Sequence, residues 1–284
     1  MELYKYQGAG NDFLIADARS GNAAFSTEDI RSLCDRRYGI GADGFMMLEN
    51  GQGNDFRMVY YNSDGSGGMM CGNGGRCIVA FASDMGLGCL GPDGSRYFAF
   101  EAADGPHAAY IIASDGRAKT VRLKMKDVDG IKVMDGNSYF LDTGTRHFVR
   151  FVPDVDDCDV VSEGRRIRNL PEFAPVGTNV NFVSAPKGED LSESGRSIRV
   201  RTYEKGVEDE TFACGTGIVA SSIASYCHSY DGRKCCSSVR YDVRAKKDML
   251  AVDFIPTLSG NEENCRFTDV WLTGPAVYVA KIIL

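Results

Sequence analysis

Hydrophobic and polar positions alternate in short runs along most of the chain. Period-two alternation with β-branched and aromatic residues is typical of half-buried strands. The pattern predicts strands at 12–16, 56–61, 97–101, 108–113, 120–125, 138–142, 179–183, 198–203, 239–243, 249–254 and 276–283. Because strands dominate and long helical patterns are few, the expected fold class is α+β.

Two stretches depart from this alternation. Residues 77–82 are apolar throughout, and residues 218–220 are followed by Ile223 and Ala224 in the same helical pattern. A helix that is apolar nearly all round is buried rather than amphipathic. Each stretch is therefore expected to be a central helix, with a curved and mostly antiparallel sheet wrapped around it.

The same order of elements occurs twice along the chain. Predicted strands 56–61 and 198–203 both end at a tyrosine, a polar loop follows, and a Cys-Gly pair then precedes the apolar helix. The two cysteines are Cys71 and Cys214. Since 284 residues can form two domains of about 140 residues each, the repetition predicts two similar lobes.

A cysteine at a helix start is chemically activated. Unpaired backbone N–H groups and the helix dipole favour the thiolate there and lower the thiol pKa. An isolated helix-start cysteine is more often inert packing, but its repetition in both halves favours chemistry. If one thiolate removes a proton from a carbon and the other thiol returns one to the opposite face, the configuration inverts. The pattern predicts a racemase or epimerase.

The glycines beside both cysteines fit this chemistry. Segments 72–75 and 215–217 allow the backbone to approach a ligand and direct N–H donors at an anion. A carboxylate next to the reacting carbon would suit these donors.

Composition excludes several other classes. The formal net charge is −7 without a Lys/Arg cluster, which argues against nucleic acid as a partner. No run approaches the roughly 20 apolar residues of a membrane span, and MELYKYQG lacks signal-peptide features, so the expected location is the cytoplasm. The ten cysteines are then expected to be reduced, and the three scattered histidines predict no zinc site.

One apparent motif is set aside. Gly39, Gly41 and Gly44 satisfy the spacing GxGxxG, but a dinucleotide-binding loop must follow a strand and open a helix. Here the glycines follow a predicted helix that starts after Ser26, and Gly39 is its expected stop.

The motifs together resemble diaminopimelate epimerases over essentially the whole chain. The resemblance is carried by GAGNDF (8–13), GIGADG (39–44), YYNSDGS (60–66), CGNGGRC (71–77), GTNVNF (177–182), YEKGVEDETFACGTG (203–217) and TGPA (273–276). It implies interconversion of LL- and meso-2,6-diaminopimelate by two cysteines, without pyridoxal phosphate, metal or other cofactor. It also implies two lobes with the active site in the cleft between them.

The resemblance and the polar stretch 114–119 together predict the lobe boundaries. The first lobe is expected at 1–117 plus 275–284 and the second at 118–274, because the family's final strand returns to the first lobe after Gly274.

The resemblance also assigns roles to individual residues. Cys71 and Cys214 match the catalytic base and acid. The expected receivers of the reacting centre's carboxylate are Gly72, Asn73, Gly215 and Thr216. The residues expected to bind the rest of the substrate are Asn11, Asn62, Asn179 and Glu204, with Glu204 pairing with the distal ammonium.

Two departures from the family fall at the distal end of the substrate. The family usually has YERG where this chain has Lys205, and Asn/Ser-Pro-His where it has Thr145, Arg146 and His147. A lysine cannot reproduce a bidentate guanidinium contact. Thr145 can still donate through its hydroxyl, and Arg146 is a candidate for the missing guanidinium, against the alternative of a solvated surface side chain.

Two other functions stay open on the sequence alone. One is a related two-cysteine racemase or epimerase of the proline or hydroxyproline type, although Glu204 and the asparagines favour a substrate with a second polar end. The other is a non-catalytic thiol-redox relative. The expected partner is a small amino-acid substrate, without nucleic acid or membrane, and a homodimer stays open.

Overall fold

The computed structural model describes residues 1–21, 24–68, 70–187, 196–229, 237–257 and 265–284. The helices in this part are α1 Thr27–Cys34, α2 Gly72–Asp84, α3 Val160–Arg168 and α4 Gly215–His228. The strands are β1 Glu2–Gly8, β2 Asn11–Asp17, β3 Gly44–Glu49, β4 Phe56–Asn62, β5 Cys89–Leu90, β6 Arg96–Ala102, β7 Gly105–Asp115, β8 Ala118–Lys124, β9 Val128–Asp129, β10 Lys132–Asp135, β11 Ser138–Asp142, β12 Arg146–Phe151, β13 Asn179–Ser184, β14 Ser197–Glu204, β15 Asp209–Thr211, β16 Val239–Arg244, β17 Met249–Thr257 and β18 Arg266–Ile283.

The chain divides into two compact units. Unit 1 contains Met1–Lys124 and Thr273–Leu284, and unit 2 contains Met125–Leu272. The polar stretch 114–119, where the sequence analysis places the lobe boundary, contains the turn between β7 and β8, and these two strands pair antiparallel within unit 1. Polar residues are common both in hairpin turns and in segments that connect two units. The composition of residues 114–119 alone therefore does not distinguish the two.

The sheet of unit 1 closes on itself. Neighbouring strands pair in the order β1, β2, β3, β4, β6, β7 and β8. Strand β18 then pairs with β8 through residues 274–277 and with β1 through residues 277–283. Helix α2 packs against β1, β2, β3, β7 and β8, and residues 72–82 are all buried.

Unit 2 repeats this arrangement around α4. Its strands pair in the order β10, β11, β12, β13, β14, β16 and β17. In both units a parallel pair, β2 with β3 or β12 with β13, is followed by a second parallel pair, β4 with β6 or β14 with β16. Helix α4 packs against strands β11 to β14, β16 and β17. The expected α+β fold, with a curved sheet around a central helix in each lobe, is confirmed.

The remaining two helices lie against the sheets on their other faces. Helix α1 joins β2 to β3 and contributes Ile30 and Cys34 to a core with Leu14 and Phe45. Helix α3 joins β12 to β13 and packs Val160 and Ile167 into an equivalent core of unit 2. Parallel neighbours require such crossovers, because a short hairpin cannot join them.

The predicted start of α1 is confirmed, but its predicted end is wrong. The Ser26 hydroxyl accepts the Asp29 N–H, and the Asp29 carboxylate accepts the Ser26 N–H, which forms a capping box. The helix ends at Cys34 rather than near Gly39. The carboxylate of Asp35 accepts the N–H groups of Arg37 and Tyr38, so a side-chain turn replaces the last helical turn.

Among the residues that the structure describes, no helix is long and apolar enough to cross a membrane. Cys77 lies fully buried within α2.

Packing at Gly164 provides a test of unit 2. A Cβ at this position of α3 would lie 2.3 Å from the Cβ of buried Tyr203. We expect Gly164→Ala to destabilise the protein by about 1–3 kcal/mol, even though alanine favours helix over glycine by about 1 kcal/mol. Urea unfolding would measure this loss.

Gly136→Ala is the matched control, because no atom lies within 4 Å of the Cβ it would add. Its effect should stay within about 0.5 kcal/mol. Equal midpoints for the two variants would contradict tight packing of α3 on Tyr203.

Candidate active site

Cys71 and Cys214 occupy the same position in the two units. Cys71 is the N-cap of α2, with φ −101° and ψ 134°, and Cys214 is the N-cap of α4, with φ −97° and ψ 110°. Ser26 and Asp159, the N-caps of α1 and α3, accept N–H groups of their helices through side-chain oxygens, whereas α2 and α4 begin without such a side-chain cap. A ligand carboxylate suits the first turn of the latter pair.

In unit 1, two predicted binding residues contact each other. Asn73 Nδ2 donates to Asn11 Oδ1 at 2.6 Å, and Asn11 Nδ2 donates to Asp43 Oδ2 at 3.2 Å. The fully buried Arg76 donates to Asn73 Oδ1 at 2.8 Å and to the Gly72 carbonyl at 3.3 Å. Each amide is oriented by a charged neighbour, so its donor and acceptor ends are fixed.

Charged side chains form ion pairs at the start of β2, next to the contact between Asn11 and Asn73. Arg36 donates to both Asp12 and Asp43 at 2.6 Å, and Lys5 lies 2.9 Å from Asp12. Burial raises the pKa of Asp12, but hydrogen bonds from Arg36 and Lys5 lower it by a larger amount. The resulting pKa is about 2. Asp12 is therefore ionised at neutral pH.

Asn62 is the last residue of β4 and is exposed. Its Nδ2 donates to Ser66 Oγ at 3.0 Å in the loop before α2. Unit 1 thus carries Asn11 at the start of one strand and Asn62 at the end of another.

In unit 2, threonines surround the first turn of α4. Cys214 is 6% exposed, and its Sγ lies 3.5 Å from Thr216 Oγ1. Thr145 Oγ1 lies 3.2 Å from the same Thr216 hydroxyl, and Thr143 donates to the Thr216 carbonyl at 3.1 Å. Thr145, assigned in the sequence analysis to the distal end of the substrate, is therefore joined to the helix start that carries Cys214.

The remaining predicted residues of unit 2 lie at strand ends. Asn179, the first residue of β13, donates to the Arg146 carbonyl at 3.2 Å and accepts the Lys205 N–H at 2.9 Å. Glu204 ends β14 and accepts the Thr211 hydroxyl at 2.9 Å. Arg146 begins β12 and is exposed.

A cluster of buried polar side chains lies next to these strand ends. Asn181 Nδ2 lies 3.1 Å from both the Phe148 carbonyl and His147 Nδ1, and Thr202 donates to Asn181 Oδ1 at 2.9 Å. Burial lowers the pKa of His147 to about 3. A Cβ at Gly217 of α4 would lie 2.4 Å from Asn181 Oδ1, so only glycine allows this approach.

Sequence reasoning missed the supporting residues Arg76, Asp43, His147 and Asn181. The available signal was the two-residue period of the strands. His147 shares an inward face of β12 with apolar Val149, and Asn181 shares one of β13 with apolar Val183 and polar Asn179. A buried polar residue at such a position needs a partner, which indicates a network.

The sequence model of the family described as diaminopimelate epimerase matches residues 3–141 and 139–245. The chain belongs to the diaminopimelate epimerase family. A curated relative named diaminopimelate epimerase, from Flavobacterium psychrophilum, is 42% identical over 284 residues, which cover 98% of each chain.

Two solved structures are similar in fold to this family member. A Bacillus anthracis phenazine biosynthesis protein of the PhzF family has a TM-score of 0.69 at 14% identity, covering 100% of this chain and 99% of its own. A probable proline racemase from Agrobacterium radiobacter has a TM-score of 0.63 at 15% identity, covering 100% and 92% respectively. At these identities the likeness concerns the fold alone.

The buried imidazole predicts an acid-sensitive contribution to stability. The pKa of His147 is about 3 in the folded chain, against an ordinary value of 6.5. Between these values the unfolded chain binds a proton that the folded chain does not. The free energy of unfolding should therefore fall as pH decreases from 6.5, by up to about 1.4 kcal/mol per pH unit.

We expect His147→Gln to flatten this slope between about pH 4.5 and 6.5. Urea unfolding at several pH values would measure it, independently of any uniform loss of stability. The Asp12 carboxyl, whose pKa lies lower still, contributes only below its ordinary value of 3.8. An unchanged slope in this window would contradict burial of a neutral imidazole.

Proposed function

We propose that the chain is a cofactor-independent epimerase that interconverts LL-2,6-diaminopimelate and meso-2,6-diaminopimelate, a step toward lysine and cell-wall precursors. The observation that supports this most strongly is the repeated placement of a cysteine at the start of a buried helix, Cys71 in unit 1 and Cys214 in unit 2, in a member of the diaminopimelate epimerase family.

The two thiols divide one reaction between them. In one direction a thiolate takes the α-proton of the substrate, and the thiol of the other unit gives its proton to the opposite face of the same carbon. The enzyme ends with the two protonation states exchanged, and the reverse direction starts from that state. The protons balance, and no other reactant is needed.

The helix starts also stabilise the negative charge that develops next to the reacting carbon. Backbone N–H groups at Gly72, Asn73, Gly215 and Thr216 are proposed to receive the substrate carboxylate. Donors fixed in position before the reaction need no reorganisation when charge develops on that carboxylate, which lowers the barrier.

The other polar strand ends are proposed to bind the distal end of the substrate. Asn11, Asn62 and Asn179 supply amide groups, and Glu204 supplies a carboxylate for the distal ammonium. For the distal carboxylate the candidate cations are Arg146 and Lys205.

A proline-type racemase is the alternative function within this fold. The fold likeness to a probable proline racemase does not separate the two functions, and the polar residues at the strand ends support the first. Glu204 and the asparagines suit a substrate with a second charged end, which proline lacks. We further propose a cytoplasmic enzyme that acts on a small molecule, binds no nucleic acid and is compatible with a homodimer.

Exchange of the α-hydrogen with solvent deuterium tests this proposal. The wild-type protein should incorporate deuterium into diaminopimelate but not into proline, hydroxyproline or lysine, measured by mass spectrometry. Exchange with proline would favour the alternative function. Absence of exchange with every amino acid would favour a redox or non-catalytic relative.

In an assay of LL-to-meso conversion, Cys71→Ala and Cys214→Ala should each reduce epimerisation by at least about 10³-fold, because inversion needs a proton removed from one face of the carbon and another added to the opposite face. Cys77→Ala is the matched control, since this thiol is fully buried within α2 and burial raises its pKa. It should keep near-normal turnover. Substantial turnover in either of the first two variants would contradict the two-thiol mechanism.

The distal carboxylate contact is tested separately. If Arg146 binds that carboxylate, Arg146→Ala should raise KM for diaminopimelate by about tenfold with a smaller change in kcat, because the contact is equal in the ground and transition states. Lys205→Arg should then change KM little. The opposite result, with Arg146→Ala silent and a lower KM for Lys205→Arg, would assign the contact to position 205.

A further inference from the structure

A continuous chain of polar side chains leads from β12 to the catalytic cysteine of unit 2. His147 Nε2 lies 2.9 Å from Thr145 Oγ1, Thr145 Oγ1 lies 3.2 Å from Thr216 Oγ1, and Thr216 Oγ1 lies 3.5 Å from Cys214 Sγ. Each distance is within hydrogen-bonding range, with the longer limit that applies to sulfur.

The hydrogen bonds of Asn181, at the end of this chain of side chains away from Cys214, set the direction in which protons are donated along it. Asn181 Nδ2 faces the Phe148 carbonyl, which can only accept, and Asn181 Oδ1 accepts from Thr202. The amide orientation is therefore fixed, and its Nδ2 also donates to His147 Nδ1 at 3.1 Å. A neutral imidazole that accepts at Nδ1 carries its proton on Nε2, so His147 donates to Thr145.

The same direction of donation continues from Thr145 to the sulfur of Cys214. Besides the His147 proton, Thr145 Oγ1 faces Asn179 Nδ2 at 3.5 Å, so both donors point at its lone pairs. Its own proton is left for Thr216, and the Thr216 proton is left for Cys214 Sγ. Thr143 holds the Thr216 main chain in place by donating to its carbonyl at 3.1 Å.

We propose that Thr145 is a positioning residue for the Cys214 thiol, which it orients through the Thr216 hydroxyl. The proposal rests on the proposed function, in which Cys214 reacts with substrate. It replaces the expectation that Thr145 contacts the distal end of the substrate. A hydroxyl held as a donor to sulfur favours the thiolate and fixes the direction from which the sulfur approaches the α-carbon.

Alkylation of Cys214 provides a test that needs no substrate. Full-length protein is treated with iodoacetamide at a pH where the thiol is mostly protonated, and modification of Cys214 and Cys71 is followed in the same digest by fragment-ion mass spectrometry. Cys71 lies in unit 1 and is the internal reference. The variants are Thr145→Val, which has similar shape without the hydroxyl, and Thr145→Ser, which retains it.

We expect Thr145→Val to slow Cys214 alkylation relative to Cys71 by about threefold, because a thiolate that loses a donor is scarcer but also more nucleophilic. Epimerisation of diaminopimelate should show kcat about tenfold lower with KM nearly unchanged. Thr145→Ser should restore both values to within about twofold.

A double-mutant cycle separates positioning from general damage. Thr216→Val should reproduce the loss of Thr145→Val, and the double variant should be no worse than either single variant, because both substitutions break one chain. Ser222→Ala is the matched control: it removes another buried hydroxyl of α4, bonded to the Ile218 carbonyl at 2.9 Å. It should leave the alkylation ratio unchanged.

Three results would overturn the proposal. A raised KM for Thr145→Val, with unchanged kcat and alkylation ratio, would assign Thr145 to substrate contact. Losses that add in the double variant would mean that the two threonines act independently. Failure of Thr145→Ser to restore the values would trace the defect to shape rather than to the hydroxyl. If wild-type protein exchanges no amino acid, the proposed function fails, while the alkylation ratio still decides the positioning.

Discussion

Each unit buries one helix inside a curved sheet, and the first-turn N–H groups of such a helix need hydrogen-bond partners. Helices α1 and α3, which lie on the other faces of the sheets, use a serine and an aspartate side chain for this purpose. Helices α2 and α4 begin at a cysteine without a side-chain cap. The constraint that makes these helices central thus also creates two places suited to a carboxylate, each beside a cysteine.

The two places are similar in backbone but different in their support. In unit 1 the helix start is held by a network in which buried Arg76 and the Asp43 carboxyl group fix the amides of Asn73 and Asn11. In unit 2 the side chains that lead to the helix start are neutral, since the imidazole of His147 is buried without charge and hydroxyl groups connect it to α4. Because electrostatic surroundings set thiol reactivity, the repeated backbone carries two thiols in unlike surroundings.

The sequence predicts local features better than non-local ones. The strand at 138–142 agrees with β11 to the residue, because alternation and flanking turn residues are both local signals. The alternation does not predict β1 or β3, because β1 mixes polar and apolar residues without a clear period, and β3 is apolar and buried on both faces up to its final Glu49. Their pairing with β18 and β2 provides what their own sequence does not indicate.

In the candidate site too, the sequence predicts the local features and not the contacts made after folding. The cysteines and glycines at the helix starts are visible in one short motif, and the resemblance to the family supplies the asparagines and Glu204. The contacts of Arg76, His147 and Asn181 depend on which residues face them after folding, such as Pro275 for Arg76 and Thr202 for Asn181. Spacing along the chain does not encode such partners, so a polar residue at an inward position indicates that a network exists but not its members.

Strand β18 is synthesised last, although it completes the sheet of the unit that is synthesised first. Its residues 274–283 lie between β8 and β1 and close the ring of unit 1, yet they are separated in sequence from the rest of that unit by the whole of unit 2. Until β18 has been synthesised, the first 124 residues lack the strand that pairs with the edges of β1 and β8. Unpaired strand edges readily pair with other chains, so closure of the ring by β18 removes an edge surface that would otherwise favour aggregation.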